Sequence, residues 1–176
     1  MKKSILIVSA SPSDQETLRV YREAQEIENA LGEKYSVHHV SAARPADIVQ
    51  AILRYKPQFL HISGHGVDGK IALETEEGKT QVIDLAALAS LLSQFEMEGL
   101  LINACYSAKT NGLDKIADWL VAMTREISDK GAIAFSTGFY LALEAEQGVE
   151  SAFAAGKTML GMVSMKEIDT PVLRKH

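Results

Sequence analysis

Two reactive side chains follow two separate apolar runs of this chain. The segment FLHISGHG carries His65 between two glycines, and the segment LLINACYSA carries Cys105, the only cysteine. An imidazole can accept the proton of a thiol, and the thiolate formed can attack a carbonyl carbon. Side chains at the carboxyl ends of strands meet at one edge of a doubly wound α/β sheet, so we expect His65 and Cys105 to meet there as base and nucleophile.

The backbone amides beside these two residues are candidate donors to an oxyanion. Gly64 and Gly66 permit a sharp turn around His65, and they leave the N–H group of Gly66 unscreened. The N–H group of Cys105 stands at the start of a turn or helix, which would also favour a thiolate. The sequence therefore predicts an oxyanion hole formed by the amides of Gly66 and Cys105.

Each of the two reactive residues also has a structural interpretation. A lone cysteine after an apolar strand is often a small core residue, and a histidine between glycines can be a hydrogen-bonded loop residue. Their joint placement favours the dyad. Ser63 and Asn103 each precede a dyad residue by two positions, so strand alternation predicts that they support the dyad from the same face. We expect His61, inside the strand, to be packed or hydrogen-bonded.

The elements around this pair alternate between strand and helix patterns in the first two thirds of the chain. The patterns predict strands at 5–10, 35–40, 59–62 and 100–104, and helices at 14–31, 45–55 and 84–95. Asp14 is expected to cap the first helix, Gly32 to end it, and Gly99 to break the third. A small hairpin is predicted between 70–73 and 80–83, inserted after the third strand.

The last third of the chain is less regular but continues the alternation. The patterns predict an interruption at 109–112, a helix at 113–119, a strand at 120–127, helices at 129–143 and 149–160, and an edge strand at 170–173. Such an order favours a mostly parallel sheet with helices on both faces. We therefore predict one α/β domain over 1–176, a three-layer α/β/α sandwich with a small β-hairpin insertion.

Composition excludes several classes of function. The chain of 176 residues has 18 Lys and Arg against 23 Asp and Glu, which gives a net charge of −5. It has no basic run interleaved with aromatic residues, so we expect no direct nucleic-acid partner. No stretch approaches the roughly 18 apolar residues of a membrane span. A single cysteine excludes an intrachain disulfide and fits a reducing compartment, so a cytoplasmic location is predicted. The spacing of potential ligands predicts no metal and no cofactor.

Extended segments of the sequence resemble one known family, the CHAT domains, which are caspase-like cysteine peptidases of clan CD found chiefly in prokaryotes. The matching segments are ILIVSASP, RPADIVQAILRYKPQFLHISGHG, IALETEEGKTQVI, LLINACYSA, ISDKGAIAFSTGFYLAL and TPVL. The resemblance implies a caspase-hemoglobinase fold, His65 as general base, Cys105 as nucleophile and peptide-bond hydrolysis. It also implies that the amides of Gly66 and Cys105 face the oxyanion.

A second resemblance concerns the segment Ile127, Ser128, Asp129. Separase-type peptidases carry a similar Val-Thr-Asp segment after the strand that follows their cysteine, and its aspartate helps to bind a basic side chain. By this resemblance Asp129 lines the specificity pocket and selects Lys or Arg. The alternative is that Ser128 or Asp129 caps the following helix, and the two roles are compatible.

Three functions follow as hypotheses. The first is a cytoplasmic endopeptidase that acts on a polypeptide partner within a prokaryotic sensing or defence pathway. Because the chain is almost all catalytic fold, we expect its activation to come from a regulatory or sensor protein, from oligomerisation or from a ligand. The second is a catalytically silent adaptor with the same fold. The third, a flavodoxin-like or TIR-like signalling domain, is disfavoured because the sequence has neither an acidic cluster after the first strand nor a phosphate-binding loop.

Overall fold

Strands and helices alternate along the chain in the computed structural model, which describes residues 2–109 and 112–176. The strands are β1 (Lys3–Ser9), β2 (Tyr35–Val40), β3 (Phe59–Ser63), β4 (Gly66–Val67), β5 (Lys70–Glu74), β6 (Thr80–Asp84), β7 (Met97–Asn103), β8 (Ala117–Met123) and β9 (Pro171–Lys175). The α-helices are α1 (Val20–Leu31), α2 (Pro45–Tyr55), α3 (Leu85–Leu92), α4 (Asp129–Glu144) and α5 (Val149–Val163).

Six of the strands form one sheet in the order β2-β1-β3-β7-β8-β9. All neighbours in it are parallel except β9, which pairs antiparallel with β8 and closes one edge. Strands β4, β5 and β6 form a separate antiparallel sheet that contains the predicted hairpin. The prediction of a mostly parallel sheet with a small β insertion is confirmed.

Both faces of the large sheet are covered by helices. Strand β1 shows why: successive side chains of a strand point to opposite faces, and here both sets are apolar. Ile5 and Ile7 pack in a core that includes residues of α1, α4 and α5. Leu6 and Val8 pack in the core on the other side, with residues of α2 and α3. The result is the predicted three-layer arrangement.

The strand order reverses direction at β1 and β3, because β2 lies on the far side of β1 while β7 lies on the far side of β3. In open α/β sheets such a switch point leaves a crevice at the carboxyl ends of the strands. The segments that follow β1 and β3 begin at this crevice. The register pairs Ser63 with Asn103, so the ends of β3 and β7 are level with each other.

The first helix begins later than the sequence predicts. Helix α1 starts at Val20 rather than near Asp14, and it ends before Gly32, whose positive φ of 53° suits a glycine. The Asp14 carboxylate does not cap this helix. Its Oδ1 accepts hydrogen bonds from the backbone N–H and the hydroxyl of Thr80, at 2.9 and 2.8 Å, so it ties the chain after β1 to strand β6.

The predicted helix at 113–119 is wrong. Short 3₁₀ turns occupy Ser107–Lys109 and Leu113–Lys115, and β8 then begins at Ala117, so only the first residues of the strand predicted at 120–127 lie in it. The predicted interruption at 109–112 lies partly outside the described residues. Gly99 does not separate helix from strand but lies inside β7, where a Cβ atom would come within 2.0 Å of the Trp119 ring on β8.

No helix of residues 2–109 and 112–176 combines the length and the apolar character that crossing a bilayer demands.

Candidate active site

His65 stands in the loop between β3 and β4, half-buried, with its ring held by a backbone carbonyl. Its Nε2 atom lies 2.6 Å from the carbonyl oxygen of Glu16. A carbonyl can only accept, so Nε2 carries a hydrogen and donates it. In the neutral ring the lone pair then resides on Nδ1, which is the atom able to accept a proton. Glu16 thus fixes the tautomer and orientation of a potential base.

Cys105 follows β7 directly and is also half-buried. Its thiol donates to the carbonyl oxygen of Ile127, with Sγ 3.8 Å from that oxygen. The turn after Cys105 is held by Ser107, whose hydroxyl donates to the Ile102 carbonyl and accepts from the Met123 amide, both at 3.0 Å. This link between the ends of β7 and β8 fixes where the cysteine leaves the sheet.

The loops that carry His65 and Cys105 are in backbone contact. A Cβ atom on Gly66 would lie 2.4 Å from the carbonyl oxygen and 3.0 Å from the amide nitrogen of Cys105, so only glycine fits at position 66. Gly69 donates from its amide to the Tyr106 carbonyl, at 3.3 Å. These contacts bring the two amides that the sequence predicts as oxyanion donors to neighbouring positions.

One cavity of about 700 Å³ is lined by both His65 and Cys105. Strands β3 and β7 are neighbours in the sheet, and both reactive residues line the same cavity. Among the hydrogen bonds of residues 2–109 and 112–176, none joins the imidazole to the thiol. In this arrangement the thiol is directed at Ile127 and the imidazole at Glu16.

Residues 10–19, here called the 10–19 loop, cross from β1 to α1 over this cavity. The small sheet holds the loop: besides the bonds of Asp14, the Ser11 amide donates to Glu74 Oε1 at 2.9 Å, and the Ser13 amide donates to the Gly78 carbonyl at 2.8 Å. The end of the loop, from Glu16 onward, lines the cavity. The small sheet therefore sets the position of the carbonyl that holds His65.

Asp129 is the first residue of α4 and lines the same cavity. The cap of this helix is Ser128, whose hydroxyl accepts from the Gly131 amide at 3.1 Å, so the capping alternative is met by Ser128. Asp129 instead binds Arg19 twice. Its Oδ1 accepts from the Arg19 amide at 2.9 Å, and its Oδ2 accepts from Arg19 Nε at 2.6 Å. The arginine side chain is 61% exposed, and the aspartate side chain 26%.

A buried polar network lies beside the cavity, between the sheet and helices α1 and α4. Its centre is Glu23 of α1, whose Oε1 atom accepts from Asn103 Nδ2 at 2.7 Å and from the Ser136 hydroxyl at 2.6 Å. His61 Nε2 lies 3.0 Å from the same oxygen. Asn103, predicted to support the dyad, therefore connects the strand that carries Cys105 to a buried carboxylate.

His61 connects the rest of this network. Its Nε2 is also 2.8 Å from the Ser63 hydroxyl, and its Nδ1 is 3.0 Å from the Tyr140 hydroxyl. Ser63 thus joins the network rather than the imidazole of His65, and His61 is buried and hydrogen-bonded as expected. Burial raises the pKa of Tyr140 well above its usual value, assisted by the charge of Glu23, so its hydroxyl stays protonated and can donate.

Sequence reasoning missed Glu23 and Glu16. Glu16 acts through its backbone carbonyl, and a side-chain pattern carries no signal for that. Glu23 did leave a signal, because it shares the buried face of α1 with Ala24 and Ile27. A carboxylate on the apolar face of a helix needs buried donors, so this position could have been marked as part of a polar site.

Comparison with known proteins identifies the family. The profile of the CHAT domain matches residues 2–171. The chain belongs to the CHAT domain family. This confirms the resemblance found in the sequence, whereas the comparison with curated proteins gave no match.

Solved structures similar to this CHAT domain are cysteine proteases with the caspase-like fold. The Arg-specific cysteine proteinase gingipain R has a TM-score of 0.65 and 11% identity over 98% of this chain and 46% of its own. The complex of the pro- and mature domains of RgpB from Porphyromonas gingivalis has a TM-score of 0.63 and 12% identity, over 98% of this chain and 47% of its own. An inactive zymogen of a C11 protease from Parabacteroides distasonis has a TM-score of 0.58 and 15% identity, over 94% of this chain and 59% of its own. The CHAT domain thus spans about half the length of each.

Proposed function

We propose that this CHAT domain is a cysteine endopeptidase in which Cys105 is the nucleophile and His65 the general base. One observation carries the proposal: both side chains line a single cavity, and the bond from His65 Nε2 to Glu16 leaves Nδ1 as the proton acceptor. The caspase-like fold shared with cysteine proteases supports the same reaction class.

The reaction begins when the thiol turns from the Ile127 carbonyl to His65. Nδ1 of His65 takes the thiol proton, and Sγ of Cys105 attacks the carbonyl carbon of the substrate peptide bond. The N–H groups of Gly66 and Cys105 donate to the oxyanion that forms. His65 then returns the proton to the leaving amine as the C–N bond breaks. Water hydrolyses the thioester with His65 again accepting a proton, which releases the acid product and restores the thiol.

The substrate class we propose is a polypeptide partner with a basic residue before the cleaved bond. Asp129 supports this choice, since its residue lines the cavity that contains Cys105 and carries a carboxylate. Gingipain R, described as Arg-specific, has the same fold. Because Arg19 binds Asp129, a basic substrate side chain would compete with Arg19 there. We further propose a cytoplasmic role in a prokaryotic sensing or defence pathway, with a regulatory protein as activator.

A silent adaptor is the second candidate, and the directions of the two hydrogen bonds favour it. The thiol donates to Ile127 and the imidazole to Glu16, so neither group is engaged with the other. A domain that keeps this arrangement when its partner binds would not cleave. Reactivity of the thiol therefore separates the two candidates.

The test compares wild type, Cys105→Ala and His65→Ala on a peptide library and with a peptide electrophile that alkylates thiols. Cys105 is the only cysteine, so all labelling reports on that one site. We expect cleavage and labelling by wild type, with cleavage lost in both variants and labelling of His65→Ala slowed about a hundredfold. Equal turnover by wild type and Cys105→Ala, with both folded, would reject the peptidase. A Cys105 thiol that stays unreactive even when a partner protein is bound would favour the adaptor.

A further inference from the structure

Three helices on one face of the large sheet leave an apolar groove between them. Helix α4 contacts both α1 and α5, and residues of all three line a cavity of about 330 Å³, here called the α1–α4–α5 groove. Its apolar lining includes Ile133 of α4 together with Met159 and Val163 of α5. Val163 is 37% exposed, and Met162 beside it is 76% exposed. Because methionine side chains adapt their shape to a bound surface, this lining suits the apolar side chains of a partner.

The charged residues of the α1–α4–α5 groove are mostly basic. Among the described residues that line it, Arg19, Arg22 and Lys130 stand against one acid, Glu26. The chain as a whole has a net charge of −5. A local charge opposite in sign to that of the whole molecule, next to an apolar lining, favours partners of complementary charge. The groove therefore selects acidic partners over basic ones.

The basic side chains keep donors available for such a partner. Arg22 Nη2 binds Glu26 at 2.6 Å, and Arg19 binds Asp129 through Nε. A guanidinium group has five N–H donors, so both arginines retain several. No ion pair in the described part of the chain involves Lys130. A carboxylate that reaches this side of the groove would therefore find cationic partners.

The α1–α4–α5 groove and the proposed active-site cavity share two residues. Arg19 and Lys130 line both. The Arg19 side chain is 61% exposed and binds Asp129, which lines the cavity. A carboxylate bound in the groove would compete with Asp129 for this guanidinium. Exposed ion pairs are weak, so the competition requires little free energy.

We propose that the α1–α4–α5 groove is the docking site for an acidic amphipathic helix of a partner protein. Apolar side chains at positions i, i+3, i+4 and i+7 of that helix pack on Ile133, Met159 and Val163. Glutamate or aspartate side chains beside them bind Arg22 and Lys130. The groove is recessed between three helices, and a helix fits such a recess better than a flat lipid surface does.

Docking also changes the proposed active-site cavity. An acidic side chain that binds Arg19 draws it away from Asp129 and leaves that carboxylate free for a basic substrate side chain. This consequence rests on the proposed peptidase function, whereas the docking itself does not.

The binding test uses a displayed library of helices with leucine at the four apolar positions and random residues beside them. Helices are selected on wild type, and their affinities are measured for Lys130→Glu and Val163→Glu. We expect Asp and Glu to be enriched, and both variants to bind at least about tenfold more weakly, because each places a negative charge in the contact. Matched controls are Lys70→Glu on β5 and Leu53→Glu on α2, at positions that do not line the groove.

Methyl NMR spectra of methionine-labelled protein locate the bound helix. We expect the Met159 signal to shift on binding, and the signal of Met97, in the core on the other side of the sheet, to stay in place. Selection of basic or uncharged helices, or equal affinity for wild type, Lys130→Glu and Val163→Glu, overturns the inference. Dimerisation of wild type that Val163→Glu abolishes also overturns it, because a second copy would then occupy the groove. Binding to phosphatidylserine vesicles that Lys130→Glu abolishes overturns it in favour of a membrane.

Kinetics with the tightest selected helix test the link to the cavity. We expect a saturating concentration of the helix to raise kcat/KM for arginine peptides by about two- to fivefold in wild type and to leave Arg19→Ala unchanged. Helix binding without this rise overturns the link between groove and cavity. Helix binding with no cleavage by any of these proteins rejects the peptidase proposal and keeps the docking site. Cleavage with no helix binding rejects the docking site and keeps the peptidase proposal.

Discussion

The carbonyl oxygen of Glu16 lies 2.6 Å from Nε2 of His65, although the two residues are 49 positions apart. This single bond decides which nitrogen of the imidazole can act as a base, because a carbonyl accepts and never donates. The small sheet holds the 10–19 loop that carries Glu16. Catalytic competence of the proposed dyad therefore depends on contacts well outside it.

Asp14→Ala tests this dependence. The substitution removes both bonds from Asp14 to Thr80 and releases the middle of the 10–19 loop. Because His65 then loses part of its orientation, we expect kcat to fall by about tenfold with a small change in KM and in the melting temperature. Glu77→Ala, which removes the same charge from the exposed hairpin turn, is the control. An unaltered kcat would show that the loop keeps its place without Asp14.

Gly66→Ala tests the backbone contact between the two loops. The added Cβ atom would lie 2.4 Å from the Cys105 carbonyl oxygen, so one loop must move away from the other. We expect loss of peptide hydrolysis and of electrophile labelling, with a decrease of about 1–3 kcal/mol in the free energy of unfolding measured in urea. Lys70→Ala, an exposed change on β5, is the control. Full activity of Gly66→Ala would mean that this close approach has no role in catalysis.

Arg19→Ala tests competition at Asp129. Removing the guanidinium frees Asp129 Oδ2 for a basic substrate side chain. Since exposed ion pairs contribute under about 1 kcal/mol, we expect kcat/KM for basic peptides to rise by about two- to fivefold, with neutral peptides unaffected. Arg22→Ala, one turn away and paired with Glu26, is the control. A fall in kcat/KM for basic peptides would assign Arg19 a supporting role instead.

The charge of Glu23 predicts a pH dependence of stability. Its pKa in the folded protein is lowered from 4.5, so its ionisation stabilises the fold fully above pH 4.5, and this contribution is lost as pH falls through the folded pKa. Urea unfolding from pH 6 down to pH 3 should show a steeper loss of stability in wild type than in Glu23→Gln. Parallel curves for the two proteins would contradict a stabilising charge on Glu23 in the folded protein. Glu26→Gln, on the same helix, serves as the control.

Much of the fold could be predicted because burial leaves a pattern in the sequence. The apolar runs at β1, β3 and β7 are buried on both faces, and the prolines and glycines that bound them carry their own conformational limits. Ser63 and Asn103 could be placed on one face from alternation alone. The placement of His65 and Cys105 in one cavity could be predicted because parallel strands end at the same edge of the sheet.

The errors lie where tertiary contacts override local pattern. Glycine commonly ends a helix, but Gly99 is required inside β7 because the Trp119 ring occupies the space that a side chain would need. Aspartate is a common helix N-cap, yet the carboxylate of Asp14 accepts a hydrogen bond from Thr80 on a distant hairpin instead. Glu23 and Glu16 act through partners that lie far away along the chain. No local window contains such partners.

The small sheet also joins two parts of the proposed site mechanically. Its first strand, β4, begins at Gly66, directly after His65, while its last strand, β6, anchors the 10–19 loop through Thr80. Because both ends of this sheet are attached to the site, a displacement of the hairpin between β5 and β6 would be transmitted to the imidazole of His65 and to the carbonyl that orients it.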